Sequence, residues 1–206
     1  MRTLKLLVCG AALLALAFVP AAQASEAEAT PEGAVSAADS ILAAKPKQQT
    51  DIILGLARAC GASGMAGGQV LDLASLGQQI TQAELEQIHA FKTGALIQVS
   101  TVAPALLGET TGGQQKALVT YGKLTGLAFQ VFDDLLDVTG DSKVTGKPSH
   151  ADAARLKPAF PAIIGVERSI ERAHELRDLA LDQLKHLPGK TDALEWLATY
   201  AVDRDR

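Results

Sequence analysis

Three aspartates and a glutamine share one stretch of a predicted helix near the middle of the chain. Gln130, Asp133, Asp134 and Asp137 are spaced i, i+3, i+4 and i+7, which predicts that their side chains lie on one helix face. Carboxylates so close together repel one another, and a cation would relieve that repulsion. Hard divalent ions, Mg²⁺ above all, prefer oxygen ligands and often add water and phosphate oxygens. The spacing therefore indicates a Mg²⁺ site at the aspartates, with a solvated acidic face as the alternative.

Basic side chains and a hydroxyl lie in other segments that could meet these carboxylates in the folded chain. Lys92 and Thr93 are on an earlier predicted helix, and Lys147 and Lys157 follow the aspartates in a stretch rich in Lys, Gly, Ser and Pro. A lysine ammonium binds phosphate as a compact point charge. Together with carboxylates for a metal ion, these groups predict a diphosphate site.

Hydrophobic periodicity predicts the helices that must position these residues. Thr81 and Glu84 form a capping-box pattern, which opens a helix that carries Lys92. The helix with the aspartates has an apolar stripe at alternating steps of four and three residues. The predicted helices cover about residues 51–60, 81–107, 114–138, 165–187 and 191–203.

The composition of the 206-residue chain limits the classes of protein to which it can belong. A hydrophobic share of 48% and a net charge of −4 exclude an intrinsically disordered chain. A pI of about 5.6 and the lack of a Lys/Arg run argue against a nucleic-acid-binding protein, because such proteins need a basic patch. Two cysteines are too few for a disulfide scaffold. Abundant Ala and Leu, with only 4% aromatic residues, favour an all-α domain.

Four motifs resemble, in order and spacing, those of the trans-isoprenyl diphosphate synthase family, also called polyprenyl synthetases. They occupy residues 64–73, 92–97, 126–141 and 146–147. The similarity is greatest to short-chain farnesyl and geranyl diphosphate synthases and extends over about residues 51–206. It implies an all-α fold, a truncated helical bundle of the isoprenoid-synthase type, in which antiparallel helices surround a cleft and the aspartates point into it.

The resemblance also implies roles for individual residues. The three aspartates would hold Mg²⁺ as cofactor, and the substrate diphosphate would contact Lys92, Thr93, Gln130, Lys147 and Lys157. In this family an allylic diphosphate ionises to a carbocation, the double bond of isopentenyl diphosphate attacks it, and a proton is lost. Stabilisation of the departing diphosphate is the main physical demand on such a site. The expected activity is therefore prenyl transfer, with allylic and isopentenyl diphosphates as substrates.

The chain departs from the family pattern at several points. The family has two Asp-rich motifs and a basic motif that binds isopentenyl diphosphate, whereas this sequence contains only the second Asp-rich motif. His150 stands where the family has glycine, and Ala159 where it has threonine. These departures predict the C-terminal portion of a synthase. The alternative is a non-catalytic remnant that binds Mg²⁺–diphosphate weakly, or a partner subunit that forms a homodimer or associates with an intact synthase.

The first 24 residues have two interpretations. Arg2 and Lys5 precede an apolar run and an Ala-Gln-Ala sequence, which is typical of a secretory signal peptide. Residues 10–18 also resemble the family helix that follows the first Asp-rich motif, which predicts a helix of the fold and a cytoplasmic protein, with export as the alternative. The predicted organisation is an apolar helix over 1–24, a linker or short helix over 25–45, and a synthase-like domain over 46–206.

Three histidines and an aromatic pair are predicted to have structural roles rather than to bind a metal ion or a ligand. His89, His150 and His186 lack the spacing of metal ligands and are predicted to lie on the surface. Trp196 and Tyr200, one helical turn apart, are predicted to pack in the core.

Overall fold

Helices make up the regular structure of the chain. The computed structural model describes residues 39–108, 110–139 and 157–204, and these ranges contain no strand. The predicted all-α class is confirmed, whereas residues 1–24 and the segment with Lys147 lie outside the described residues. In chain order the elements are α1 (Pro46–Cys60), α2 (Met65–Ala74), α3 (Gln82–His89), a π turn (Ala90–Gly94), α4 (Ala95–Leu107), α5 (Gly112–Thr139), α6 (Phe160–Ile164), α7 (Val166–Leu184) and α8 (Asp192–Asp203).

The 28-residue helix α5 is the central element of the fold. Both α4 and α7 pack along it, and its predicted apolar stripe is buried between them. Burying a large apolar side chain contributes roughly 1.5–3 kcal/mol, so this stripe fixes which face of α5 is left for polar residues. Two buried clusters join α5 to its neighbours, one with Leu85, Val131, Phe160, Leu176 and Val202, the other with Leu118, Tyr121, Leu184 and Leu194.

Glycines on α5 allow α4 and the π turn to approach it closely. A Cβ atom on Gly122 would lie 2.4 Å from Thr101 Oγ1, and one on Gly126 would lie 2.9 Å from Gly94 Cα. A larger residue at Gly126 would meet backbone, which cannot move aside as a flexible side chain can. The contact places the π turn against the half of α5 that carries the aspartates.

The predicted helix over residues 81–107 is present, but a π turn interrupts it. Thr81 caps its start as expected, because the Thr81 hydroxyl accepts from the Glu84 N–H at 3.3 Å and Glu84 Oε2 accepts from the Thr81 N–H at 2.7 Å. The π turn holds one more residue than an α-helical turn would, and the hydrophobic periodicity does not indicate it.

Helices α1 and α2, with the residues next to them, place large apolar side chains on the outside of the described fold. We call this surface the apolar outer face. A large group of exposed apolar side chains usually marks a contact with another molecule or with another part of the chain. The apolar outer face consists of Leu42, Ile53, Leu54, Leu56, Val70, Leu71, Leu73 and Leu76.

The prediction that Trp196 and Tyr200 pack in the core is wrong. Their rings stack on each other with centroids 5.0 Å apart, and the side chains are 60% and 47% exposed. Helix α8 buries a different stripe, which includes Leu194 and Ala198, against the rest of the fold. Since two residues four apart always share a face, the buried stripe leaves the aromatic pair in solvent.

Candidate diphosphate and metal site

Lys92 lies on the π turn, where it meets α2. Its ε-ammonium pairs with the largely buried carboxylate of Asp72. Gly68, one turn earlier on α2, permits this contact, because a Cβ atom there would lie 2.2 Å from the Lys92 backbone nitrogen. The pairing brings Asp72 into the site, although twenty residues separate it from Lys92 and no local spacing indicates the pair.

Thr93 and Gln130 join the π turn to α5. The Thr93 hydroxyl donates a 2.8 Å hydrogen bond to Gln130 Oε1, and both side chains are buried. The Gln130 amide nitrogen lies 3.4 Å from Asp133 Oδ2 and 3.4 Å from Asp134 Oδ1. The structure therefore links Thr93, Gln130 and Asp133, three of the predicted site residues, in one continuous set of contacts.

Asp133 combines access to solvent with a charged setting. Its side chain is 41% exposed, and Oδ1 lies 3.4 Å from Arg204 Nη2. Burial raises the pKa of the Asp133 carboxyl above its ordinary value, the charge of Asp137 raises it further, and Arg204 opposes the rise. A carboxylate that is costly to ionise gains stability from a nearby cation, so Asp133 stays the leading candidate for a Mg²⁺ ligand.

Asp134 points into the protein, and the prediction that all three aspartates share one open face is wrong. Successive residues of an α-helix lie about 100° apart, and in this fold Asp134 lies towards His89 and Phe160 while Asp133 lies on the open side. The Asp134 side chain is 2% exposed; its Oδ2 lies 3.1 Å from His89 Nε2 and accepts a 3.1 Å hydrogen bond from the Phe160 N–H. The structure therefore places Asp134 in the interior, away from the open side of α5 that carries Asp133.

The same contact corrects the interpretation of His89 as a surface residue. Only 1% of the His89 side chain is exposed, and its ring stacks on Phe160 with centroids 5.6 Å apart. Burial alone would raise the pKa of the Asp134 carboxyl, but the hydrogen bond and charge of His89 hold that pKa below its usual range. Asp134 and His89 thus form a buried polar pair behind the open side of α5.

Asp133 and Asp137, one turn apart on α5, are the carboxylates left on the open side. Asp137 is exposed, and its charge contributes to the raised pKa of Asp133. Across residues 39–108, 110–139 and 157–204, no three His, Cys, Asp or Glu side chains are grouped to hold a metal ion. Two carboxylates nevertheless fit Mg²⁺, because this ion often binds one or two carboxylates and takes water and substrate phosphate as its other ligands.

Lys157, three residues before the start of α6 at Phe160, adds a cation to the site. Its charge lowers the pKa of both Asp133 and Asp134. The predicted contact Lys147 lies outside the described residues. A groove of about 470 Å³, lined by Lys116, Gln183 and others, lies at the opposite end of α5 and contains none of the predicted site residues.

Arg204, just after α8, is a site residue that the sequence analysis missed. Its guanidinium lies 3.9 Å from the centre of the Phe129 ring and donates a 2.7 Å hydrogen bond to the Ala201 carbonyl. It is largely buried, and its Nη2 also lies 3.4 Å from the Phe129 carbonyl and 3.4 Å from Asp133 Oδ1, 71 residues earlier in the chain. Nothing in the local sequence around Arg204 indicates such a contact.

The arrangement has the charges that a Mg²⁺–diphosphate needs. Asp133 and Asp137 can bind the cation, and Lys92 and Lys157 can neutralise phosphate oxygens. Comparison with known proteins supports this chemistry, because the polyprenyl synthetase family profile matches residues 22–196. The chain belongs to this family. The predicted family membership is thereby confirmed, and the match includes every predicted site residue.

Curated relatives of this chain are prenyl diphosphate synthases. Farnesyl diphosphate synthase of Escherichia coli is 40% identical over 164 residues, which are 78% of this chain and 55% of the relative. Geranylgeranyl pyrophosphate synthase 11 of Arabidopsis thaliana is 36% identical over 201 residues, which are 96% of this chain and 52% of the relative. The chain spans about half the length of these relatives.

Solved structures of the family share the fold. An FPP/GFPP synthase from Zymomonas mobilis superposes with a TM-score of 0.67 at 31% identity, covering 77% of this chain and 52% of that one. A geranyltransferase from Helicobacter pylori, complexed with magnesium and isoprenyl diphosphate, gives a TM-score of 0.65 at 27% identity, covering 82% and 56%. These similarities place the helices described above within the all-α synthase fold.

Proposed function

We propose that this chain carries the Mg²⁺–diphosphate site of a short-chain prenyltransferase, which condenses an allylic diphosphate with isopentenyl diphosphate. The observation that carries the proposal is the continuous set of contacts from Thr93 through Gln130 to Asp133, with Lys92 on the same π turn. This set joins phosphate-binding and metal-binding side chains from two helices. The relatives named farnesyl and geranylgeranyl diphosphate synthase support the choice of reaction.

The residues of this chain would act mainly on the leaving group. Mg²⁺, when bound, would neutralise charge on the departing diphosphate. Asp133 and Asp137 would hold the cation, and Lys92 and Lys157 would neutralise phosphate oxygens that no cation covers. The ion pair with Asp72 already orients the Lys92 side chain, so Lys92 needs little rearrangement to bind a phosphate oxygen. Preorganised charge of this kind is the usual source of the largest rate effects in enzymes.

A second candidate function is a non-catalytic remnant or partner subunit. The sequence contains a single Asp-Asp pair, at 133–134, where the family pattern has two Asp-rich motifs. The apolar outer face on α1 and α2 gives this candidate a surface for association, either with a second copy of the chain or with an intact synthase. In either form the protein would be cytoplasmic, where the diphosphate substrates are made.

Calorimetric titration with pyrophosphate and Mg²⁺ tests the proposed site. We expect weak binding by the wild type, and binding at least about tenfold weaker in Asp133→Asn, because loss of a metal-site carboxylate removes a direct ligand. Asp178→Asn, an exposed carboxylate on α7, is the matched control and should bind as the wild type does. Absence of wild-type binding, or equal binding by Asp133→Asn, would refute the proposal.

A condensation assay with radiolabelled isopentenyl diphosphate separates the two candidates. Turnover that disappears in Asp133→Asn supports the prenyltransferase. Binding without turnover supports the remnant or partner subunit, and a size-exclusion experiment with Val70→Lys then tests association through the apolar outer face. We expect this substitution to shift the protein towards the monomer, since a lysine is costly to bury without a partner.

A further inference from the structure

A buried polar pair, His89 and Asp134, connects the two elements that carry the proposed site. The side chains are 1% and 2% exposed, and His89 Nε2 lies 3.1 Å from Asp134 Oδ2. The same carboxylate oxygen accepts the Phe160 N–H at 3.1 Å, so that α3, α5 and α6 meet at one group. Polar groups so deep in a protein are costly unless they are hydrogen-bonded, which makes their geometry strict.

The pair lies directly behind the residues proposed to bind the ligand. His89 is the last residue of α3 and immediately precedes the π turn that carries Lys92 and Thr93. Asp134 follows Asp133 on α5. A bond between His89 and Asp134 therefore sets how the π turn is placed against α5, since His89 is three residues before Lys92 and Asp134 is next to Asp133.

We propose that His89 is a positioning residue of the site: its Nε2–H bond to Asp134 fixes the π turn relative to Asp133. This inference rests on the proposed function. His89 does not reach the ligand, and it acts through the two elements that it ties together.

Gln130 provides the route by which a loss of His89 would reach the site. The Gln130 amide nitrogen lies equally far, at 3.4 Å, from the Asp133 and Asp134 carboxylates. Without His89, the buried Asp134 carboxylate lacks its principal donor and draws the Gln130 amide inwards. Gln130 would then turn away from Asp133, and its hydrogen bond with Thr93 would be strained.

Among the described residues, Asp134 provides the hydrogen bond of the His89 ring, because the other ring nitrogen, Nδ1, is buried there without a partner, and Phe160 provides the stacking contact. This makes the donor and the ring separable by mutation. His89→Phe keeps a ring that can stack on Phe160 but has no donor, whereas His89→Gln places an amide N–H where Nε2 now lies. Tyr121→Phe is the matched control, because it removes another buried hydrogen bond of α5, from Tyr121 to the Leu194 carbonyl at 2.7 Å, far from the site.

The first measurement is the dissociation constant for pyrophosphate with Mg²⁺, by calorimetry on the full chain, at a temperature where circular dichroism shows each variant folded. We expect about tenfold weaker binding in His89→Phe, recovery to within about threefold of the wild type in His89→Gln, and no change in Tyr121→Phe. Wild-type affinity in His89→Phe, or an equal loss in His89→Phe and His89→Gln, would overturn the proposal.

Amide hydrogen exchange provides a second measurement that needs no ligand. In His89→Phe we expect faster exchange in residues 90–94 and 130–134, with α7 and α8 unchanged, whereas Tyr121→Phe should leave both segments as in the wild type. If the wild type fails to bind Mg²⁺–pyrophosphate, the proposed function fails and exchange alone decides whether His89 ties the π turn to α5. Unchanged exchange in both segments would refute that tie.

Discussion

The open and buried sides of α5 place two neighbouring aspartates in opposite environments. Asp133 faces solvent, Asp137 and a guanidinium, and its pKa is raised. Asp134 faces a histidine and a backbone N–H in the interior, and its pKa is lowered. The residue nearer to solvent is thus the harder of the two to ionise. The difference in pKa follows from the hydrogen-bond donors: Asp134 has two at 3.1 Å, whereas those of Asp133, on Gln130 and Arg204, are 3.4 Å away and leave the half-exposed carboxylate able to bind a cation.

The comparison separates two functions within one acidic motif. A carboxylate that is buried and hydrogen-bonded in the interior stabilises the fold, and one that is partly exposed and weakly paired can bind a ligand. Four changes test this separation.

Truncation of the two aspartates should give the largest contrast. Asp134→Ala leaves His89 Nε2 and the Phe160 N–H without a partner in the interior, and we expect it to lower the free energy of unfolding by about 3–5 kcal/mol. Asp133→Ala should change it by less than about 0.5 kcal/mol, or raise it slightly. Urea unfolding followed by circular dichroism measures both. Equal losses would show that the two sides of α5 do not differ in this way.

Addition of ligand should stabilise the protein through Asp133. With Mg²⁺–pyrophosphate at ten times its dissociation constant, we expect the wild-type free energy of unfolding to rise by about 1.4 kcal/mol. At the same ligand concentration Asp133→Asn should show little of this gain, whereas the control Asp178→Asn should show all of it. Thermal unfolding with and without ligand provides the measurement, and a full gain in Asp133→Asn would assign the binding elsewhere.

Removal of the Thr93 hydroxyl tests the link between the π turn and the open side. Thr93→Val keeps the shape of the side chain but leaves Gln130 Oε1 without its 2.8 Å hydrogen bond, and we expect a loss of about 1 kcal/mol in unfolding free energy. Binding of Mg²⁺–pyrophosphate should weaken at the same time. Thr120→Val, whose hydroxyl bonds only to its own helix, should have a smaller effect on stability and none on binding.

The pH dependence should distinguish the two aspartates by sign. Because the pKa of Asp133 is raised in the folded state, its ionisation costs stability, so Asp133→Asn should be more stable than the metal-free wild type at pH 7. This difference should shrink as the pH falls through the folded pKa and vanish below about 3.9, where both states are protonated. Urea midpoints between pH 7 and 4 would detect the trend.

Asp134 should behave in the opposite way. Its lowered pKa adds stability that is fully present above about pH 3.9, so Asp134→Asn should be less stable than the wild type by a constant amount from pH 7 to about pH 5. That deficit should decline only as the pH falls further, through the folded pKa. A deficit that already declines near pH 6 would contradict the assignment.

Local patterns predicted the polar stretch of α5 and most of the helices, but not α2 or α6, because periodicity and capping involve neighbours in the chain. The stripe with Tyr121 and the cap at Thr81 are examples. The pairing of His89 with Asp134 spans 45 residues and that of Arg204 with Asp133 spans 71, so neither leaves a trace in local spacing. The shared-face prediction failed for the same reason, since Phe160 and His89 decide which aspartate turns inwards.

The π turn makes the site depend on the number of residues between α3 and α4. It places one extra residue within the helix from Gln82 to Leu107, and Lys92 and Thr93 lie on that turn. The wider turn absorbs this residue, so α3 and α4 keep nearly the relative rotation that an uninterrupted α-helix would give them. Deleting Ala90 should therefore close the turn and displace Lys92 and Thr93 from Asp72 and Gln130, while α3 and α4 keep their places. The extra residue thus sets where the two site side chains point without changing the register of the helices on either side.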